Sequence, residues 1–262
     1  MAWDPDRYGA FRRERMQPAR DLLERVELSE AQCIYDLGCG PGGVTRLIAE
    51  RWPAAAVTGI DNSPEMLARA GAARSSITWQ EQSIADFAPG APATLIFSNA
   101  ALNWLGDHGT LLPGFVRHLA PGGILAVQMP RNSGTPSQHA MADAARAGPW
   151  ASRLAALCGS EPVAEPAFYY RALRPYVAEI EIWQTEYVHV LEGDNPVVEW
   201  MIGTALRPFL AALDEGQRAP FLADYSDRVR AAYPPQPDGR TLFSMRRLFI
   251  LARAPGSERL RP

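Results

Sequence analysis

A glycine-rich stretch that directly follows a short apolar segment is the strongest constraint on the fold. Residues 34–43 read IYDLGCGPGG, so an acid and then a crowd of glycines follow two apolar residues. Such a turn joins the first strand of an open parallel sheet to its first helix, and ligands bind beyond the carboxyl ends of such strands. The spacing Gly38-x-Gly40-x-x-Gly43 also fits the dinucleotide fingerprint. The stretch alone therefore leaves the ligand open.

The rest of the first half alternates short apolar runs with amphipathic segments, which predicts a parallel sheet flanked by helices. Ser63 reads as a helix N-cap with Pro64 in the first turn, and residues 121–123 read as a turn. We expect helices over 42–52 and 110–119, and strands over 33–37, 57–60, 77–80, 95–98 and 124–129.

After residue 130 the rhythm changes, with cap helices expected over about 135–175 and 195–233 and long strands over about 179–191 and 242–254. The predicted fold class is α/β. It has a Rossmann-like, mostly parallel sheet with an antiparallel last strand, helices on both faces, and a helical cap inserted late in the chain and placed over the carboxyl edge. The 262 residues, 47% of them hydrophobic, suit a single domain (1–262) whose core covers about 30–130 plus the two late strands.

Composition excludes several classes of partner. The net charge of −3 gives no electrostatic reason to expect nucleic acid. Three cysteines without metal-finger spacing indicate a reduced, cytoplasmic protein with no metal. No apolar run is long enough to cross a membrane, and the first residues lack the apolar centre of a signal peptide. We expect a monomer or weak homodimer that acts on a small molecule.

Two acids distinguish between the possible ligands. Asp61 ends the second strand, 21 residues after Gly40, where an acid can accept hydrogen bonds from a ribose; as an isolated residue it would be a helix cap or turn residue. Asp36 would oppose a dinucleotide pyrophosphate, and Pro41 removes one N–H donor. S-adenosylmethionine carries a sulfonium and an α-ammonium, which a carboxylate favours. Charge therefore favours S-adenosylmethionine over NAD, and a turn that binds nothing is the remaining alternative.

Longer segments carry a family resemblance. YDLGCGPGGVTRLIAERWP, VTGIDNSPEML and LIFSNAALNWLGDH resemble the class I S-adenosylmethionine-dependent methyltransferases over about residues 30–130. RYGAFRRERMQPARDLLERV, YYRALRPYVAEIEIWQTEYVHVLEG, VVEWMIGTALRPFL and RRLFILAR resemble the trans-aconitate 2-methyltransferase family, which extends the likeness to nearly the whole chain. The resemblance implies methyl transfer to a carboxylate of trans-aconitate, giving a monomethyl ester.

The resemblance also implies roles for residues at matching positions. Asp36, Gly38 and Gly40 match the motif for the methionine part of the cofactor, and Asp61 matches the ribose-binding acid. Many relatives carry an aspartate near adenine where this chain has Ser83 and Ile84, so a backbone N–H at Ile84 is expected instead. The predicted cofactor-binding set is Asp36, Gly38, Cys39, Gly40, Asp61, Asn62, Ser83, Ile84, Asn99 and Ala100.

A carboxylate acceptor is already ionised at pH 7 and needs no general base, so catalysis is expected from holding oxygen and methyl in line. A polycarboxylate does need cations, and the planar guanidinium fork suits it. Arg131 follows the fifth strand, Arg207 lies in a predicted apolar helix, and Arg246 interrupts the last strand. Two aromatic candidates could instead be ordinary core residues. The predicted substrate-binding set is Trp104, Arg131, Tyr169, Arg207 and Arg246.

Three other functions stay open at this point. The nearest keeps the fold and cofactor but changes the acceptor to a hydroxyl, an amine or a ring carbon. A second is an NAD-dependent oxidoreductase, and a third is a module without catalysis.

Overall fold

The computed structural model describes residues 11–72, 75–159 and 163–257. These residues form two compact units. The sheet unit comprises 16–72, 75–130, 163–185 and 247–257, and the helical unit comprises 11–15, 131–159 and 186–246. Residues 160–162 of the first predicted cap segment lie outside the described part. The prediction that the chain acts as one domain stays a prediction.

One sheet of seven strands carries the fold, in the order β3-β2-β1-β4-β5-β7-β6. The pairs β1–β2, β1–β4, β2–β3 and β4–β5 are parallel and β5–β7 is antiparallel, as predicted. The strands are β1 (Cys33–Leu37), β2 (Ala56–Asp61), β3 (Thr78–Glu81), β4 (Ala93–Asn99), β5 (Leu119–Pro130), β6 (Glu179–Leu191) and β7 (Thr241–Arg253).

Helices occupy most of the predicted helical segments. Ser63 caps the helix Pro64–Ala70, since its Oγ accepts a hydrogen bond from the Met66 N–H at 3.3 Å. None of the helices within the described ranges combines the length and apolar character that a bilayer crossing requires. The helices are α1 (Arg12–Arg25), α2 (Gly43–Arg51), α3 (Pro64–Ala70), α4 (His108–Arg117), α5 (Pro136–Ala147), α6 (Ala151–Leu154), α7 (Pro166–Leu173), α8 (Pro196–Ile202), α9 (Arg207–Ala212) and α10 (Glu215–Ala232).

Two local features differ from the sequence expectation. Residues 121–123, expected as a turn between elements, lie inside β5 as an irregularity, where the register against β4 shifts between Ala93 and Leu95. Gly122 takes a φ of 74° there, which glycine allows. The cap segments are also divided into short helices: Gly148 and Pro149 follow α5, and Gly203 follows α8.

Each unit has its own apolar core. The sheet unit buries one face of its strands, including Leu37, Ile96 and Val127, against α4 and α7. The helical unit packs Trp200, Phe221 and the rest of its aromatic cluster between α5, α8 and α10. In an open sheet the strand ends carry the binding residues, so the sheet unit fixes their positions.

Candidate functional site

The glycine turn between β1 and α2 is bound to the end of β2. The Gly38 and Cys39 N–H groups donate to the Ile60 carbonyl oxygen at 2.8 and 2.9 Å. Gly38 has a φ of 77°, and a Cβ there would lie 2.1 Å from the Ala101 Cβ. Gly40 has a φ of 53°, but a Cβ there would meet nothing within 4 Å. Gly38 is therefore needed for packing, whereas Gly40 leaves open backbone of the kind a ligand requires.

Asp61 joins the glycine turn to the start of α3. Its Oδ2 accepts the Gly40 N–H and its Oδ1 accepts the Ser63 N–H, both at 2.9 Å. These contacts fit the alternative in which Asp61 is a turn residue. Each carboxylate oxygen can still accept a second hydrogen bond, so these contacts also leave room for ribose hydroxyls.

Asp36 is a buried carboxyl group beneath the turn, with 2% of its surface exposed. The Thr45 Oγ1 donates to its Oδ2 at 2.6 Å. Burial raises the pKa of Asp36 to about 7; the hydrogen bond from Thr45 works against this rise, and the nearby Asp61 charge adds to it. No cation forms an ion pair with Asp36 within the described residues. Its ionised form therefore leaves an uncompensated negative charge under the turn.

The end of β4 carries two marks of a binding site. Ala100 has a φ of 54°, a conformation that costs a non-glycine residue about 1–3 kcal/mol, and its N–H donates to the Gln128 carbonyl oxygen at 2.9 Å. The Asn99 Oδ1 is buried and has no hydrogen-bond partner in the described part of the chain. Such an atom costs about 1–3 kcal/mol unless a ligand satisfies it.

The other predicted cofactor residues lie around the same turn. The Ile84 Cδ1 is 3.3 Å from the Cβ that a side chain at Gly38 would carry. Ser83 caps the 3-10 turn that follows β3, since its Oγ accepts the Ala85 N–H at 3.2 Å. Cys39 is buried, and burial raises the pKa of its thiol. Asn62 is exposed beside Asp61. The structure thus brings the set to one edge of the sheet, and their binding roles stay predictions.

The sequence did not predict that the Trp79 side chain supports the glycine turn. The Trp79 ring occupies the space where a Cβ at Gly42 or Gly59 would lie, at 2.4 and 2.6 Å. The Arg46 guanidinium lies 5.7 Å from this ring and donates to the Pro41 and Ala70 carbonyl oxygens. Gly59 was the available signal, because a glycine inside a strand often marks close approach of another group.

Two predicted acceptor residues belong to the sheet unit. Trp104 is 53% exposed in the 3-10 turn after β4. Tyr169 is fully buried, and its hydroxyl accepts the Ala164 N–H at 3.0 Å and lies 2.8 Å from the His108 Nδ1. These contacts fit the alternative of a core residue for Tyr169. Arg247 on β7 is 6% exposed, so it, and not Arg246, is the buried arginine of that pair.

Three predicted acceptor arginines belong to the helical unit. The Arg131 N–H donates to the Arg246 carbonyl oxygen at 3.0 Å, which brings these two residues together. Arg131 is half-buried, whereas Arg246 is exposed and its Nη2 donates to the Ser133 carbonyl oxygen at 3.2 Å. Arg207 is the exposed first residue of α9. The expectation that its charge lies inside an apolar helix is therefore wrong.

The remaining reactive groups are dispersed. All three cysteines are free thiols. Among the described residues, no three His, Cys, Asp or Glu side chains converge as metal ligands would.

Comparison with known proteins finds full-length relatives. The chain is 48% identical to a trans-aconitate 2-methyltransferase of Azoarcus sp. (strain BH72), over 95% of this chain and 98% of that protein. It is 46% identical to a trans-aconitate 2-methyltransferase of Methylobacterium nodulans, over 96% of this chain and 98% of that protein. A family model described as a methyltransferase domain matches residues 34–123.

Solved structures share the fold at low identity. The YcgJ protein of Bacillus subtilis matches with a TM-score of 0.59 and 12% identity, over 92% of this chain and 99% of that one. The Haemonchus contortus phosphoethanolamine N-methyltransferase 2, solved with S-adenosyl-L-methionine, matches with a TM-score of 0.54 and 17% identity. That match covers 91% of this chain and 52% of the other. With the strand order above, these matches confirm the predicted Rossmann-like fold.

Proposed function

Because the chain belongs to the trans-aconitate 2-methyltransferase family, within the class I methyltransferases, we propose that it methylates a carboxylate of trans-aconitate to give the monomethyl ester. The observation that carries this proposal is the 48% identity over 95% of the chain, which extends through both units. A similarity confined to the Rossmann-like sheet would have supported the cofactor but would have left the acceptor open.

The cofactor is S-adenosylmethionine, which supplies an electrophilic methyl group on a sulfonium. The site has features that suit it. Asp36 offers a negative charge that no cation of the described residues pairs with, and Asp61 has lone pairs for ribose hydroxyls. Gly40 leaves open backbone, and the Asn99 Oδ1 can accept a hydrogen bond from an ammonium. The Ile84 N–H is the proposed hydrogen-bond donor to the adenine.

The acceptor carboxylate is already a nucleophilic anion at neutral pH. The protein therefore has to orient it and balance its charges, and arginines do this with paired N–H donors. We keep Arg131, Arg246, Arg207 and Trp104 as proposed acceptor residues and add the buried Arg247, because a buried guanidinium binds an anion more strongly than an exposed one. Tyr169 is left out because its hydroxyl is committed inside the core.

The direct test is an assay of the full chain with S-adenosylmethionine and a set of di- and tricarboxylates, read by product mass. We expect one methyl group on trans-aconitate. Arg131→Ala should lower the rate at least tenfold with cofactor affinity intact. Arg230→Ala is the matched control, because Arg230 forms an exposed ion pair with Asp194 at 2.8 Å. Methyl transfer to another acid but not to trans-aconitate would contradict the acceptor, and NADH binding at the turn would contradict the cofactor.

We also propose that the protein works in the cytoplasm as a monomer or weak homodimer, without nucleic acid or a membrane as partner. The three free thiols support a reducing compartment. Sedimentation at micromolar concentration tests the oligomeric state, and a stable tetramer would contradict it.

A further inference from the structure

Thr45 places a hydroxyl where packing alone would not require one. It lies near the start of α2 with no exposed surface, and its Oγ1 donates to the Asp36 Oδ2 at 2.6 Å. Threonine is a weak helix former, and burying a hydroxyl is costly unless it is hydrogen-bonded. Alanine would fill a helix position at lower cost. The presence of this hydroxyl is therefore explained by Asp36.

Among the residues that the structure describes, none offers Asp36 a compensating positive charge. Asp61 at the end of β2 carries a like charge, and the Cys39 thiol in the turn is neutral because burial raises its pKa. Arg46 on α2 commits its guanidinium to the Pro41 and Ala70 carbonyl oxygens. The neighbour of Asp36 on β4 is the apolar Phe97. The Thr45 hydroxyl is thus the group that donates a side-chain hydrogen bond to this carboxylate.

We propose that Thr45 is a positioning residue for methyl transfer, whose hydroxyl holds Asp36 as an oriented carboxylate anion for the cationic cofactor. This inference rests on the proposed cofactor. A hydroxyl suits the role because it stabilises the anion without neutralising it. A lysine or arginine at this position would form an ion pair and compete with the sulfonium and ammonium groups.

The protonation behaviour of Asp36 supports the assignment. Burial raises the pKa of Asp36 to about 7, and the Thr45 hydrogen bond lowers it. Without that hydrogen bond, the carboxyl group is protonated in a larger fraction of molecules at pH 7. A protonated carboxyl group no longer attracts a cation, so cofactor affinity falls unless the pH is raised.

The test measures affinity for S-adenosylmethionine by calorimetry from pH 6 to pH 9 in the full chain. Thr45→Val keeps the shape and removes the hydroxyl. We expect it to weaken binding about tenfold at pH 7 and to recover most of that loss by pH 9. Thr45→Ser keeps the hydroxyl and should stay within about threefold of the unmodified protein at every pH. Thr45→Ala carries the same expectation as Thr45→Val if the valine variant does not fold.

Thr94→Val is the matched control. The Thr94 Oγ1 accepts the Cys33 N–H at 3.3 Å and donates to the Cys33 carbonyl oxygen at 2.8 Å, at the opposite end of β1. Its loss should lower stability and leave the pH profile of binding unchanged. A pH-independent loss in Thr45→Val, or an equal loss in Thr45→Ser, would overturn the proposal. Unmodified protein that binds the cofactor but does not methylate trans-aconitate would overturn only the proposed acceptor.

Discussion

At the scale of single residues, the buried carboxyl group of Asp36 works against stability when it is ionised. Its carboxyl group is 2% exposed, and burial raises its pKa to about 7. The unfolded chain has the ordinary value of 3.8, so the folded protein holds this proton more tightly. The contribution of Asp36 to stability is therefore complete below about pH 4 and is lost as the pH rises toward 7.

This sign gives a first prediction for ligand-free protein. Going from pH 4 to pH 8, ionisation of Asp36 should cost about 4 kcal/mol of unfolding free energy. Asp36→Asn, which stays neutral, should be less sensitive to pH and more stable than the unmodified protein at pH 8. Urea unfolding of both proteins at the two pH values measures this. The same pH dependence in both would show that Asp36 is not its source.

A second prediction separates two glycines of the same turn. Gly38→Ala places a Cβ 2.1 Å from the Ala101 Cβ and should unfold the turn, with loss of several kcal/mol and of cofactor binding. Gly40→Ala has space for its Cβ and only the cost of a φ of 53°, about 1–2 kcal/mol. Its main effect should be on cofactor affinity. Thermal unfolding and calorimetry distinguish the two, and equal stability losses would contradict the assignment of Gly38 to packing.

The residues that sequence could predict are those named by chain position. Asp36, Gly38 and Asp61 each sit at a fixed offset from a strand end, and the structure places them around one turn. Thr45 could not be predicted in this way, because its role depends on how closely α2 approaches β1. The hydrogen-bond partner of Tyr169 could not be predicted either, since His108 lies 61 residues away in the chain.

At the scale of elements, Trp79 joins β3 to β2 and to the turn that begins α2. Its ring packs against Gly59 and Gly42, and Arg46 lies over it. This packing supports the turn that begins α2. Strand periodicity predicted β3 and its neighbours, but not this packing, because a strand pattern does not specify which ring fills which gap.

We predict that Trp79→Ala lowers stability by about 3 kcal/mol and also weakens cofactor binding, because the turn loses its support. Trp183→Ala is a matched control in the same unit. Trp183 stacks on Phe249 at 4.8 Å, and its loss should affect stability alone. Equal cofactor affinity in both variants, measured by calorimetry, would show that the turn does not depend on Trp79.

Two local features differ from what the sequence predicted. Residues 121–123 carry a proline and two glycines, which usually end a strand; the register against β4 shifts across them, and pairing resumes at Ile124. β5 pairs with both β4 and β7 from Ile124 onward, so the strand continues beyond this irregularity. Arg207 was expected inside a longer helix, whereas the structure begins α9 at this residue.

At the scale of the whole molecule, the candidate residues divide between the units. All ten predicted cofactor residues lie in the sheet unit, whereas Arg131, Arg207 and Arg246 lie in the helical unit. The chain contains no lysine, so all 26 basic side chains are arginines. Apart from the four histidines, any side-chain cation that binds an anion here is therefore a guanidinium, which favours paired hydrogen bonds to a carboxylate.

This division gives a prediction for ligand binding. S-adenosylmethionine at 100 times its Kd should stabilise the protein by about 2.7 kcal/mol. Hydrogen-exchange protection should rise around Gly38–Gly40, Asp61 and Ala100 in the sheet unit. Arg131→Ala and Arg207→Ala should leave this stabilisation unchanged. Protection confined to the helical unit would contradict the assignment of the cofactor residues.

The charge of Asp36, which no described cation pairs with, also bears on product release after methyl transfer. Once the methyl group has left, the sulfur that carried it is a neutral thioether. The carboxylate then has one positive charge fewer to attract, while its own burial is unchanged. The demethylated product should therefore bind more weakly than S-adenosylmethionine, and a single buried acid favours exchange of the product for a new cofactor molecule.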